Sequence, residues 1–303
     1  MTIDRRSLLK YAAAVPLAIT TTTLAQSADN SGTSQKADYT VRIGTGLIEL
    51  APDHIVSTTL YNGQFPGPLL RLTEGKQIVV DIYNDTDTPE QLHWHGQFVP
   101  VDVDGAAEEG TPYIPAHGMR RIAFMPKPSG FRFYHSHVVP MNNLSLGTYT
   151  GQAGPVYIEP TNNPGAYDHE IFLTLKEFLP SFSKGGDMAM DFLAGAPIKE
   201  LQDIGKKADD QFQGPKGYEV GYDLFCINGK MLGHGESIRV KQGDRVLFHI
   251  LNASAGEIRS LALPGHVFRI VALDTGAVAR HCRAHFGNCR DEPSRHVGDG
   301  RSR

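Results

Sequence analysis

The sequence feature that most constrains the fold is a segment that occurs twice. Residues 61–84, YNGQFPGPLLRLTEGKQIVVDIYN, resemble residues 227–252, INGKMLGHGESIRVKQGDRVLFHILN. Each copy begins with an Asn-Gly pair and ends with an asparagine that follows a run rich in Val, Ile and Leu. A repeat on this scale indicates that one structural unit is used twice along the chain.

The runs around the first copy indicate what that unit is. They are short, rich in β-branched and aromatic residues, and bounded by Gly, Pro, Asn or Asp, as in KQIVVDIYN and FRFYHSH. This spacing predicts an all-β sandwich or barrel without βαβ units. We therefore expect two β-sandwich domains, at 38–160 and 168–274, with a Pro-, Asn- and Gly-rich linker at 161–167. We interpret residues 181–219 as a long insertion with a short helix near 187–194.

The N-terminus has the character of an export signal. Arg5 and Arg6 precede an uncharged stretch from Tyr11 to Leu24, and Thr23-Leu24-Ala25 offers a small-residue cleavage site. This pattern predicts a twin-arginine signal peptide over 1–25 and a flexible polar leader over 26–37, although a general secretory signal fits the same residues. The apolar stretch is short and Thr-rich, which disfavours a spanning helix. We expect a periplasmic or extracellular protein.

The overall charge argues against one class of partner. The formal net charge is −4, with 40% hydrophobic and 20% charged residues. This is the composition of a globular protein, and it lacks the basic surplus that nucleic-acid binding requires. The composition leaves the oligomeric state open.

The last residues, 275–303, differ from the rest of the chain. They contain two of the three cysteines and no Ile, Leu or Met. We expect the β pattern to stop at Asp274 and the segment to be an aberrant tail, the product of out-of-frame translation. A naturally disordered tail is the alternative.

Two His-x-His pairs are the strongest indication of chemistry. His93 and His95 lie in QLHWHGQFVP, and His135 and His137 lie in FRFYHSHVVP. On a strand, residues i and i+2 point to one face, so neighbouring strands would bring four imidazoles together. Imidazole suits copper, zinc, iron and nickel. Residues 26–160 contain no cysteine, which excludes a thiolate or blue-copper site there. The alternative is a set of histidines that only form hydrogen bonds.

The other histidines of the two sandwich domains are isolated in sequence. We expect each to lie at the surface or to be a hydrogen-bonded part of the core, and not to bind metal; they are His54, His117, His169, His234, His249 and His266.

These motifs resemble those of a known family. HWHG and FYHSH, with YNGQFPGPLLRLTEGKQIVV before them and GQAGPVYIEP after, look like the first cupredoxin domain of the multicopper oxidases, the laccase-like enzymes. The resemblance covers residues 40–274, and the second half is similar to the family's middle domain. It implies tandem cupredoxin-like (plastocyanin-like) Greek-key β-sandwiches.

The resemblance also implies roles for individual residues. His93 would bind a type 2 copper, and His95, His135 and His137 would bind a type 3 pair. Asp104, in VDVDG, would supply protons near this cluster; a plain Asp-Gly turn is the alternative. The implied activity is oxidation of a small phenolic or metal-ion substrate coupled to reduction of O₂ to water.

The chain departs from the family pattern beyond the second domain. The family's third domain supplies four further cluster histidines and the type 1 copper site, and the expected motifs for both are missing. HCRAH, with His281, Cys282 and His285, imitates one of them, but Arg283 stands where a histidine is required. We therefore expect a truncated oxidase that is inactive on its own.

Two other readings remain. A two-domain nitrite reductase needs a His-Cys pair where this chain has His135-Ser136. An exported copper-binding or scaffold protein of cupredoxin fold, without turnover, is the alternative from another functional class.

Overall fold

The protein is described from a computed structural model, which describes residues 36–161, 166–184, 218–273, 276–285 and 288–289. The regular secondary structure of these residues is almost entirely β-strand, as the sequence predicts. The strands are β1 (Tyr39–Ala51), β2 (His54–Tyr61), β3 (Leu70–Thr73), β4 (Ile78–Asn84), β5 (His93–His95), β6 (Met119–Phe124), β7 (Gly130–His135), β8 (Ala153–Glu159), β9 (His169–Lys184), β10 (Tyr218–Ile227), β11 (Val246–Asn252), β12 (Phe268–Leu273), β13 (Gly276–His285) and β14 (Asn288–Cys289).

Helical structure in the described residues is limited to three short pieces. Helix α1 spans Val101–Asp104, and two 3₁₀ turns span Ala107–Glu109 and Gly147–Tyr149. None of the helices in the described part of the chain has the length and apolar character needed to cross a bilayer.

The first sandwich is built from two four-stranded sheets. Their strand orders are β2-β1-β4-β6 and β3-β8-β7-β5. In β1, buried and exposed residues alternate, so that Val41 and Ile43 are fully buried while Thr40 and Arg42 are exposed. The inward faces of both sheets form one apolar core that also contains Trp94. The core packs against one face of β5 and β7, and the histidines of the two motifs lie on the other side.

The second sandwich repeats the topology of the first sheet. Strand β1 pairs with β2 antiparallel and with β4 parallel. Strand β9 pairs in the same way with β10 antiparallel and with β11 parallel. The two copies of the repeated sequence therefore occupy equivalent places in equivalent sheets, which supports the interpretation of one unit used twice.

The asparagine of each Asn-Gly pair makes the same set of bonds. Asn62 Oδ1 accepts from Arg42 N and its Nδ2 donates to Thr40 O. Asn228 Oδ1 accepts from Thr174 N and its Nδ2 donates to Phe172 O. Both asparagines have positive φ, 52° and 50°, a conformation that Asn tolerates better than most residues. The side chain thus ties the turn after β2 to the start of β1, and its counterpart ties the turn after β10 to the start of β9.

The two sandwiches share a second apolar cluster. Phe65 and Phe178 meet edge to face with ring centroids 5.2 Å apart. Both lie in a cluster that combines residues of β1, β2 and β8 with residues of β9, β10 and β11. The backbone amide of Met231 also donates to Leu50 O at 2.9 Å. The residues before and after 161–167 are therefore tightly packed together, and the domain boundary at that segment stays a prediction.

One expectation about the end of the chain is wrong. Strand structure does not stop at Asp274, because β13 follows and pairs antiparallel with β12, Leu273 opposite Gly276. Ladder hydrogen bonds use only backbone groups, so a segment without Ile, Leu or Met can still extend a sheet. The origin of residues 275–303 by out-of-frame translation stays a prediction. The signal peptide, most of the leader and the helix near 187–194 lie outside the described residues.

Candidate metal centre

The two His-x-His motifs lie on neighbouring strands. β5 pairs antiparallel with β7, and the register places His93 opposite His135 and Trp94 opposite Tyr134. Trp94 and Tyr134 are fully buried in the core, so the histidines project from the opposite face. This geometry confirms the expected convergence of the two motifs.

Four imidazole rings meet on this face. The ring centroid of His93 lies 5.6 Å from that of His95, 5.3 Å from that of His135 and 5.0 Å from that of His137. Ligand atoms of His93, His95 and His135 all lie within 4.8 Å of one another. The centre is therefore a compact group of nitrogen donors.

His137 differs from the expectation that each motif lies within a strand. It follows the end of β7, and its ring centroid is 6.0 Å from that of His135. The partner strand β5 begins at His93, so residues 136–138 have no ladder partner on that side. Glu90, three residues before that strand begins, forms a β-bridge with Ile114 instead.

Two of the rings have a defined tautomer. His93 Nδ1 lies 2.9 Å from Asp104 O, and His135 Nδ1 lies 2.8 Å from Ser136 O. A carbonyl oxygen only accepts, so both Nδ1 atoms carry the proton and donate it. The lone pair of each neutral ring is then on Nε2, so Nε2 is the nitrogen that can bind a metal.

His95 offers the other nitrogen. Its Nδ1 lies 3.2 Å from His135 Nε2. Two nitrogens that each lie about 2.0 Å from one metal in tetrahedral geometry are about 3.3 Å apart. The pair is thus spaced as two ligands of a common ion, and metal binding would displace the proton that the two nitrogens share in its absence. The donor set fits a metal that prefers imidazole.

Burial keeps one ligand neutral. It lowers the pKa of His135 to about 3, and the neighbouring imidazoles act in the same direction. A neutral imidazole is the form that coordinates a metal. His135 is therefore ready to bind a metal ion throughout the physiological pH range.

Asp104 lies where a short helix meets the first histidine. It ends α1, and its Oδ2 is 3.2 Å from His93 Nδ1. The following Gly105 has φ 90°, and a Cβ there would lie 1.9 Å from Leu92 O. The Asp-Gly turn and the carboxylate beside the histidine are thus both present, and the turn is what brings the carboxylate there.

Sequence reasoning missed two carboxylates near the centre. Glu108 Oε1 lies 3.2 Å from His137 Nδ1, a buried nitrogen that no well-aligned hydrogen bond reaches from the described residues. Glu90 is buried behind the histidines and accepts from Ser136 Oγ at 3.4 Å. The alternation Glu90, Leu92, Trp94 could have indicated that Glu90 faces the core.

The isolated histidines behave as expected. Nε2 of His117 lies 2.8 Å from Asp87, that of His169 2.8 Å from Asp244, and that of His249 3.0 Å from Glu170. None of the six belongs to the group of metal-binding geometry found among the described residues. The side chains of HCRAH lie outside the described residues.

Comparison with known proteins gives consistent results across sequence and fold. Two family models, each described as multicopper oxidase, match residues 45–163 and 199–282. Multicopper oxidase MmcO of Mycobacterium tuberculosis is 29% identical over 225 residues, which are 73% of this chain and 43% of that protein. Laccase-3 of Thanatephorus cucumeris is 26% identical over 80% of this chain and 41% of its own length. The chain thus spans less than half of either relative.

A solved structure shares the fold. Blue Copper Oxidase from Nitrosomonas europaea superposes with a TM-score of 0.62 at 22% identity, covering 82% of this chain and 70% of the other. At that identity the likeness speaks for the fold alone. Together with the two sandwiches, it confirms the predicted all-β, cupredoxin-like fold class.

Proposed function

Because the chain belongs to the multicopper oxidase family, we propose that its paired histidines hold copper for the oxidation of a small reducing substrate coupled to reduction of O₂ to water. The observation that carries this proposal is the convergence of His93, His95 and His135, whose ligand atoms lie within 4.8 Å of one another. Copper, when bound, would supply the one-electron steps by which electrons from the substrate reach O₂.

In this proposal the histidines divide by type of copper, as in the family. His93 serves a type 2 ion, and His95, His135 and His137 serve a type 3 pair. The 3.2 Å between His95 Nδ1 and His135 Nε2 supports the placement of these two histidines together. His135, held neutral by burial, presents its lone pair without first losing a proton.

Asp104 has two tasks in the proposed mechanism. Its carbonyl oxygen accepts the Nδ1 proton of His93 and fixes that ring. Its carboxylate, with Oδ2 3.2 Å from the same nitrogen and a side chain 17% exposed, can take up a proton from solvent and hold it beside the centre. Reduction of O₂ to water consumes protons, so a carboxylate at this place would serve as their donor.

We propose that the 303-residue chain has no turnover by itself. Its two sandwiches provide four clustered imidazoles, too few to hold three copper ions, and no type 1 site is expected in 26–160, which lacks cysteine. The reducing substrate, a phenol or a metal ion, would be bound by residues other than the four histidines.

We also propose that the protein is exported by a twin-arginine route, which Arg5 and Arg6 support.

The test is copper binding to the chain and to matched variants. The chain is loaded with copper and passed over a desalting column, and copper per chain is measured together with oxidation of 2,6-dimethoxyphenol. We expect bound copper without phenol oxidation, and loss of copper in His95→Ala and His135→Ala.

His117→Ala is the matched control, because His117 lies in the same sandwich and pairs with Asp87 away from the centre. It should retain the copper of the unchanged chain. Equal copper content in all three variants would contradict the assignment of the centre. Copper-dependent phenol oxidation by the unchanged chain would overturn the proposal that it lacks turnover.

A further inference from the structure

A buried carboxylate lies on the core side of the histidine motifs. Glu90 is 3% exposed and stands three residues before His93. Side chains alternate along this segment, so Glu90, Leu92 and Trp94 face the core while His93 and His95 face the centre. The carboxylate is therefore separated from the imidazoles by the strand itself.

The contacts of this carboxylate lead to the other motif. Glu90 Oε2 accepts from Gln152 Nε2 at 3.1 Å and from Ser136 Oγ at 3.4 Å. The carbonyl oxygen of Gln152 in turn accepts from Ser136 N at 3.2 Å. Ser136 lies between His135 and His137, so Glu90 and Gln152 hold the residue that joins two ligands.

The donors around Glu90 are neutral. Besides Gln152 and Ser136, the backbone amide of Gln91 donates to the carboxylate. Among the described residues, no Lys, Arg or His forms an ion pair with it. Burial raises the pKa of Glu90, and these hydrogen bonds oppose that effect. A buried acid without a counter-charge is costly, and its place in an apolar core calls for a role that an apolar side chain would not fill.

The ladder between the motifs explains why such a contact matters. β5 and β7 share only three register pairs, and the ladder ends at His93 opposite His135. His137 lies beyond that end. The bond from Ser136 to Glu90 continues the connection between the two chain segments past the last ladder pair, on the side away from the metal centre.

We infer that Glu90 is a positioning residue of the metal centre, which through Ser136 and Gln152 sets the placement of His137 relative to His93. This inference rests on the proposed function, since it concerns the same centre. Glu90 itself would contact neither the metal nor a histidine ligand. Removal of its carboxylate is expected to change the geometry of the centre while all four imidazoles remain.

The test compares Glu90→Leu, which removes the acceptor, with Glu90→Gln, which keeps an acceptor oxygen for both donors. Ser136→Ala removes one donor and is the second variant in case Glu90→Leu does not fold. Copper(II) affinity and the EPR copper hyperfine splitting are measured for each, with the melting temperature alongside. For Glu90→Leu we expect an affinity about 10- to 100-fold lower and an altered splitting.

Glu90→Gln should stay near the unchanged chain, and Ser136→Ala should shift the splitting in the same direction as Glu90→Leu. Asp81→Asn is the control, because Asp81 is a buried carboxylate of the other sheet, bound to Arg121 at 2.6 Å. It should lower the melting temperature and leave the EPR spectrum unchanged. A melting temperature lowered without any spectral change in Glu90→Leu and Ser136→Ala would overturn the inference.

A second readout separates this inference from the proposed function. The imidazole Cε1–H resonances of the metal-free chain are recorded by NMR for the same variants. Shifts of His137 and His135 without a shift of His117 support positioning even if the unchanged chain binds no copper, in which case the proposed function fails. Unchanged resonances of His135 and His137 would overturn the positioning role.

Discussion

At the scale of single residues, the hydrogen bond of one ring nitrogen determines which nitrogen of each histidine can bind a metal. His93 and His135 each donate a hydrogen bond from Nδ1 to a backbone carbonyl oxygen, and a backbone acceptor cannot be replaced by mutation. His137 differs, because its Nδ1 faces the carboxylate of Glu108 at 3.2 Å. A carboxylate beside an imidazole helps to fix the ring orientation. His137 is therefore the ligand whose orientation a side-chain substitution can alter.

Glu108→Ala is expected to weaken metal binding by roughly tenfold, the lower end of the effect of such partners, because Glu108 is 55% exposed. Copper(II) titration of the purified chain measures the change. Glu109→Ala is the matched control, since Glu109 is an exposed neighbour in the same 3₁₀ turn. An equal loss in both variants would mean that the effect comes from the general negative charge of the loop.

At the scale of elements, a loop with little regular structure brings an acidic side chain to a strand. Helix α1 is only four residues long and ends at Asp104. Gly105 turns the chain with φ 90° and lies against the backbone of β5, where a Cβ would meet Leu92 O at 1.9 Å and His93 Cα at 2.6 Å. The contact between loop and strand depends on the missing side chain at this position.

Gly105→Ala is therefore expected to lower the free energy of unfolding by more than about 2 kcal/mol, through backbone strain and displacement of the loop. Urea unfolding measures this, and copper affinity should fall with it because Asp104 moves away from His93.

Gly75→Ala separates strain from contact. Gly75 has φ 72°, but nothing lies within 4 Å of the position of its Cβ. It should cost about 1 kcal/mol from strain alone and leave copper affinity unchanged. Equal effects of the two substitutions would contradict a specific contact at Gly105.

At the scale of the whole molecule, two copies of one unit are joined by an apolar interface. Phe178 of β9 is 1% exposed and packs on Phe65, which follows β2. Lys176, two residues earlier, is also buried and donates from Nζ to Thr148 O at 2.5 Å. The second sandwich thus contacts the segment that leads away from His137, so the two units depend on each other for stability.

Phe178→Ala is expected to destabilise the chain by about 3–5 kcal/mol, because it removes a large side chain from a closed core. Tyrosine fluorescence and far-UV circular dichroism during urea unfolding measure the loss. Phe182→Ala is the control in the same strand, since Phe182 is 51% exposed, and it should change stability by less than about 1 kcal/mol. A small effect at Phe178 would indicate that the two sandwiches are stable independently.

Sequence patterns predicted the strands, the repeat and the convergence of His93, His95 and His135, because these follow from the period of a strand and from pairing of neighbours. They did not predict which ring nitrogen is free, since that depends on distant carbonyl groups. Glu90 escaped notice because its partners, Ser136 and Gln152, are far away in sequence. The strand β13 was missed because its pairing uses backbone groups that no side-chain pattern reports.

The position of the histidines on one closed sandwich has a consequence for how the protein matures. In small metal-dependent domains the ligands come together only when the ion binds, so metal affinity and folding are one process. Here the ligand strands are held by a core of apolar side chains to which none of the four histidines belongs. We therefore expect metal uptake to be a separate, late event, and a chelator to return the chain to a folded, metal-free state from which uptake can start again.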